Sequence, residues 1–132
     1  MSIWNFFKKS KGLGYESFEN WLNETLNQDI PAEVVAFNFN LYEDTGNAWS
    51  MELVGTRTYD ADDEDWACDE VFDNRETPLR WQENASWQSI TDKVENLIKT
   101  YLDQGKYGAK MKTYRAVAVG FVDGNLSIVY DK

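Results

Sequence analysis

Val35-Ala36-Phe37-Asn38-Phe39-Asn40-Leu41-Tyr42-Glu43-Asp44-Thr45-Gly46-Asn47-Ala48-Trp49-Ser50-Met51-Glu52-Leu53 is the stretch that decides the fold. Val35, Phe37, Phe39 and Leu41 fall on one side of an extended chain, with Ala36, Asn38 and Asn40 on the other. Pairing Glu43 with Asn47 leaves Asp44-Thr45-Gly46 as a three-residue loop, with glycine where positive φ is needed. That register sets Leu41 opposite Trp49, Phe39 opposite Met51 and Phe37 opposite Leu53, so the large apolar side chains of both strands share a face. A slip of one residue would oppose apolar with polar throughout.

Upstream, Phe18, Trp21, Leu22 and Leu26 have the spacing of one helical face, with Ser17 as a candidate cap and Pro31 beyond the end. The carboxy-terminal part repeats this plan. Trp87, Ile90, Val94, Leu97, Ile98, Tyr101 and Leu102 make a helical stripe that stops near Gly105. An alternating strand follows from Thr113, and Asp123-Gly124 marks a two-residue turn that pairs Val117 with Tyr130, Val119 with Ile128 and Phe121 with Leu126. The expectation is a single α+β domain over residues 1–132. Two helix-plus-hairpin units, about 15–58 and 84–131, would form a four-stranded antiparallel sheet with both helices on one face. The other face, lined by Ala36, Asn38, Asn40, Ala48, Ser50, Ala116, Ala118, Gly120 and Ser127, is expected to meet water.

Residues 59–83 join the units, and their first part is the most charged region of the chain. From Tyr59 to Glu76 there are nine acids (Asp60, Asp62, Asp63, Glu64, Asp65, Asp69, Glu70, Asp73 and Glu76) and one base, Arg75, against a net charge of −10 for the whole protein. The same stretch carries Tyr59, Trp66, Val71 and Phe72, which need a core to enter or a partner to meet.

At 132 residues with 42% hydrophobic and 15% aromatic side chains, the chain can build its own core. The single cysteine, Cys68, excludes an internal disulfide, and the reducing cytoplasm is the expected compartment. Cys68 reads as a small packing residue beside Val71 and Phe72. The amino terminus has too short an apolar run for a secretory signal or a membrane span. Ile3, Phe6 and Phe7 suggest a segment docked on the core, with a membrane-surface anchor as the alternative.

The absence of histidine removes the commonest general base, the usual zinc ligand and every Ser-His or Cys-His arrangement. A calcium loop beginning at Asp60 fails, because Asp65 stands where glycine is required and Val71 where a bidentate glutamate is required. Phosphate-binding glycine motifs are missing, no cofactor is implied, and the strong acidity opposes direct nucleic-acid binding. The local basic run of Lys106, Lys110, Lys112 and Arg115 reads as a solvated strip or an internal partner for the acidic stretch.

Three functions remain. The favoured one is an acidic protein-binding module for a basic partner, with Tyr59, Asp60, Asp62, Asp63, Glu64, Asp65, Trp66, Asp69, Glu70 and Asp73 as contact residues and Trp66 as the desolvated anchor. The alternatives are a structural or adaptor domain, in which the stretch only crosses between units, and a carboxylate-based, metal-dependent hydrolase. An exposed sheet edge would allow a monomer or a weak homodimer.

Two successive helix-plus-hairpin units in a small, acidic, histidine-free chain ending in Leu126-Ser127-Ile128-Val129-Tyr130-Asp131 resemble the YezG-like group of bacterial toxin-immunity proteins. Small immunity proteins of the SUKH superfamily are a more distant comparison. The similarity lies in the order of elements over most of the chain, and no individual residue role carries across. It implies a cytoplasmic protein that binds and neutralises a cognate toxin domain and catalyses nothing itself.

Overall fold

A computed structural model describes residues 12–132; the reading of Ile3, Phe6 and Phe7 lies outside them. Helix α1 (Tyr15–Leu26) leads to strands β1 (Ala36–Glu43) and β2 (Ala48–Thr56). A 3-10 turn (Glu64–Cys68) and two short strands, β3 (Glu70–Asp73) and β4 (Leu79–Gln82), follow. Then come helices α2 (Trp87–Gln104) and α3 (Gly108–Met111), and strands β5 (Ala116–Phe121) and β6 (Ser127–Asp131). The fold is α+β, but its sheet is mixed and six-stranded.

The strand order is β3-β2-β1-β5-β6, with β4 also paired to β2. Its centre is a parallel pair, Phe37 beside Val117 and Phe39 beside Val119, where an antiparallel sheet was expected. Parallel neighbours need a long crossover, and the chain between β1 and β5, which includes α2, supplies one. Both central strands are the first of their hairpins and run nearly free of solvent.

Phe18, Trp21, Leu22 and Leu26 of α1 and Ile90, Val94, Ile98 and Tyr101 of α2 pack with Phe37, Phe39, Leu41, Met51, Leu53, Val117 and Val119 in one core. Tyr101 ties the helices together, its hydroxyl donating to Asn23 Oδ1 at 2.6 Å. The caps differ between the helices. Ser86 Oγ accepts the Ser89 N–H at the start of α2, whereas α1 begins after Gly14 without a side-chain cap, so Ser17 lies inside the helix.

The first hairpin keeps its predicted faces but not its predicted partners. Leu41 pairs with Met51, Phe39 with Leu53 and Phe37 with Gly55, a shift of two residues. The loop is Asp44–Asn47, closed by the Asp44 N–H to Ala48 O at 2.8 Å, with both Gly46 (φ 71°) and Asn47 (φ 60°) left-handed. Asparagine tolerates that region, so the three-residue turn moves one position along, to Thr45-Gly46-Asn47 between Asp44 and Ala48, which shifts the register by two. Because β1 begins at Ala36, it is Val34 that enters the core, and Val35 is partly exposed. In the second hairpin Val117 does pair with Tyr130, but a bulge then sets Ala118 opposite Ile128 and Val119 opposite Ser127. Ile128 is thereby turned away from the core to an exposed position, and Val129 packs against the core instead.

The connection is more than a loop, since β3 and β4 divide the outer edge of β2. Asp73 and Phe72 pair with Val54 and Gly55, while Leu79 to Gln82 pair with Met51 to Ala48. Asn74 fills the break between them. Its N–H donates to Leu53 O at 3.2 Å, its Oδ1 accepts the Leu53 N–H at 2.7 Å, and its Nδ2 donates to Thr25 Oγ1 at 2.7 Å. One buried side chain thus completes the β2 edge and fastens it to α1. Asn74→Ala should therefore lose about 1–3 kcal/mol by leaving the buried Leu53 amide without its acceptor and cutting the tie to Thr25, which keeps its bond to Trp21 O. Urea unfolding and amide exchange at Leu53 would register this loss.

Candidate functional site

After β2 the chain turns under the second face of the sheet. The Asp60 carboxylate accepts the Asp62 N–H at 2.9 Å, and Asp63 accepts the Asp65 N–H at 3.0 Å, capping the 3-10 turn. These bonds set the loop so that Trp66 points inward. The indole is 4% exposed and packs with Ala36, Ala116 and Ala118, flanked by Tyr59, Ala67 and Leu126. The small side chains expected to face water are therefore partly roofed by an indole. Removing Cβ branches from that face gives an aromatic ring room to lie against the backbone.

Trp66 thus belongs to a second, small core, so the indole expected to be desolvated by a partner is already buried within the protein. Tyr59 stacks edge-on against it at 5.1 Å, and the Tyr59 hydroxyl donates to Asp131 Oδ2 at 2.8 Å. Asp60, Asp62, Asp63, Glu64 and Asp65 are exposed around this plug, and among the described residues no basic side chain lies within the 4.0 Å of an ion pair. Asp69 is half-buried. Cys68, read as a packing residue, is exposed.

Glu70 and Asp73 belong to a different cluster. Arg75 lies 2.9 Å from Glu70, 3.7 Å from Asp73 and 2.9 Å from Glu52, a β2 residue that is only 2% exposed. Tyr42 donates its hydroxyl to the same Glu52 carboxylate. The hydrogen bonds to Glu70 and Glu52 raise the Arg75 pKa further above its ordinary value. Glu70 and Asp73 are exposed but paired with Arg75, which leaves Asp60, Asp62, Asp63, Glu64 and Asp65 as the exposed acids of the predicted contact set that have no ion-pair partner among the described residues.

Of the basic run, Arg115 turns back to the acidic stretch. It pairs with Asp131 and lies 5.2 Å from the Tyr59 ring centre, while Lys106 and Lys110 flank Tyr107. The Tyr59 hydroxyl and the Arg115 guanidinium hold the exposed Asp131 below the usual carboxylate range.

Burial, with a hydrogen bond to a carboxylate, pushes Tyr59 and Tyr42 up to about 12 from 10.0. Both phenols stay protonated in the folded protein at pH values where the unfolded chain has begun to ionise. Their contribution to stability is complete below pH 10 and is lost as pH rises through about 12. Unfolding free energy should decline across that window, and Tyr42→Phe should flatten part of the decline in denaturant titrations followed by circular dichroism.

A second acid-bearing feature went unread in the sequence. The β1–β2 loop, the start of α2 and the β5–β6 loop surround an open cleft of about 890 Å³. Leu41, Phe121, Val122 and Leu126 give it apolar walls, and Trp87, 59% exposed, overhangs it. Phe121 links the cleft to the interior, with Trp49 at 5.9 Å behind it and Trp87 at 6.5 Å in front. Glu43, Asp44, Glu95 and Asp123 line it too, and among the described lining residues there is no lysine or arginine. Trp87 has the correct helical angle for the stripe but is the first residue of α2, where it meets only the end of β5 through Phe121 and stays exposed. Its position directly after the capping Ser86 was the available signal.

No protein-family model, curated protein or solved structure matches this chain.

The chemistry of the surface therefore rests on its own residues. Among the described residues, no group of three or more cysteine and carboxylate side chains is placed to hold a metal ion. The outward acids of the connection lie around Trp66, and those of the cleft share its lining with Leu41, Phe121, Val122 and Leu126. Such arrangements attract and seat a cationic surface.

Proposed function

We propose that this protein is an acidic protein-binding module whose partner is a basic protein, and that it acts as an immunity protein that neutralises a toxin domain. The observation that carries the reading is the fixed outward display of Asp60, Asp62, Asp63, Glu64 and Asp65 around the buried Trp66. A loop held by its own turn hydrogen bonds and an aromatic plug loses little conformational entropy when a partner docks. Clustered carboxylates on such a platform accelerate encounter with a positive surface. A domain built to bind phosphates offers that kind of surface. The resemblance to YezG-like immunity proteins in element order supports the same reading, as does the order helix, hairpin, connection, helix, hairpin seen in the fold. A cytoplasmic location and a monomeric or weakly dimeric state belong to this proposal.

The test is co-expression with the carboxy-terminal domain of a secreted protein encoded beside this chain. Rescue of growth and a stoichiometric complex are expected. Association should slow steeply with added salt, and Asp62→Asn, Asp63→Asn, Glu64→Gln and Asp65→Asn together should slow it about tenfold or more while leaving the fold intact. Rescue without a complex, or association indifferent to salt, would count against the reading.

A further inference from the structure

The proposed function names a charge class for the partner but no anchor, and the residue the sequence offered, Trp66, is buried in the second core. The cleft at the start of α2 supplies what is missing. Resting on the protein-binding reading, we propose that this cleft is the socket for an arginine-bearing segment of the partner protein, with the guanidinium lying on Trp87.

Trp87 is the most exposed large hydrophobic residue among those described, and its contact with Phe121 is edge-on, which leaves an indole face open. An indole face is the best aromatic platform for a cation. Val122, 49% exposed, and Leu126 offer apolar surface for the methylene stem of the same side chain. Glu43, Asp44, Glu95 and Asp123 line the same cleft, and among the described lining residues there is no lysine or arginine to pair with them. A planar guanidinium matches both demands, because it stacks on an aromatic ring while its edges donate to carboxylates. The four acids repel an anionic occupant and add nothing to the binding of a neutral one, so charge complementarity selects a cation.

The cleft is also joined to the acidic connection. Leu126 packs beside Trp66 and lines the cleft, and its N–H donates to Glu64 Oε2 at 3.2 Å. The outward acids from Asp60 to Asp65 and the rim of the cleft therefore form neighbouring parts of one negative surface. The first steers the partner in, and the second holds it.

The probe is the peptide Gly-Arg-Gly-Arg-Gly, with the same peptide carrying citrulline for arginine as the neutral isostere. Titration followed by NMR should shift the Trp87 indole N–H with the arginine peptide and leave it in place with citrulline. Trp87→Ala should weaken arginine-peptide binding about tenfold or more, and Trp87→Phe should weaken it less. Asp44→Asn with Asp123→Asn should reduce both affinity and its salt dependence. Since Trp87 is exposed, these variants should keep the parent circular dichroism spectrum. Equal affinity for citrulline, unchanged affinity in Trp87→Ala, or no binding at millimolar peptide would overturn the socket. If the shifts instead map to residues 60–65, the socket fails and the protein-binding function survives. If the cleft binds the peptide while co-expression gives no rescue, the socket stands and the immunity reading fails.

Discussion

Trp66→Ala is expected to destabilise the protein by about 3–5 kcal/mol, the cost of emptying an aromatic site in a packed interior. The indole is 4% exposed and is the large side chain of a cluster otherwise built from Ala36, Ala116 and Ala118. Alanines cannot collapse to refill the space, so the cavity term remains. The loss should appear as a lower urea midpoint. Circular dichroism should show the sheet retained, because the larger core lies on its other face. Partner binding should fall only as far as the loop from Asp60 to Asp65 loses its fixed shape. Unchanged stability would mean that the indole is not part of the second core.

Arg75→Ala is the second large effect, at about 3 kcal/mol, near the low end for orphaning a buried charge because Arg75 itself is 54% exposed. Glu52 is nearly free of solvent and, among the described residues, would retain the Tyr42 hydroxyl alone. Repulsion would also add to the loss, since Glu70 and Asp73 share the same guanidinium. The discriminating measurement is the double variant Arg75→Met with Glu52→Leu, which removes both charges and should regain most of the stability. Equal losses in the single and double variants would show that Arg75 acts through packing alone.

The sequence was readable where one physical demand acted on a segment at a time. Alternation placed Phe37, Phe39, Leu41, Met51 and Leu53 on the core face, and that assignment is insensitive to a register shift of two. The shift itself depended on Asn47 accepting a left-handed conformation, a choice that hydrophobic pattern does not report. The parallel pairing of β1 with β5 was hidden for a related reason. A strand buried on both sides looks the same whichever way its neighbour runs. Strands β3 and β4 were hidden because each has four residues and an edge position, and the acids around them read as loop.

The site shows the same division. Asp60, Asp62, Asp63, Glu64 and Asp65 are exposed, and Glu70 and Asp73, also exposed, are drawn into the Arg75 cluster, a pairing that spacing alone does not report. The two tryptophans exchange their expected places. Trp66 sits in an acidic run that looks solvated, yet enters a face made of alanines; Trp87 sits on a helical stripe that looks buried, yet overhangs a cleft. In both cases the deciding contact is with residues remote in the chain, which no local window contains.

The central parallel pair also governs the order in which the molecule can be made. Phe37 meets Val117, 80 positions later. During synthesis the first hairpin emerges with its inner edge unpaired and stays so until β5 follows. Non-local pairing of this kind slows folding and lengthens the exposure of aggregation-prone edges. The nascent chain must therefore wait for β5 before its middle can close, and the lifetime of that open edge, more than final stability, should limit the yield of folded protein.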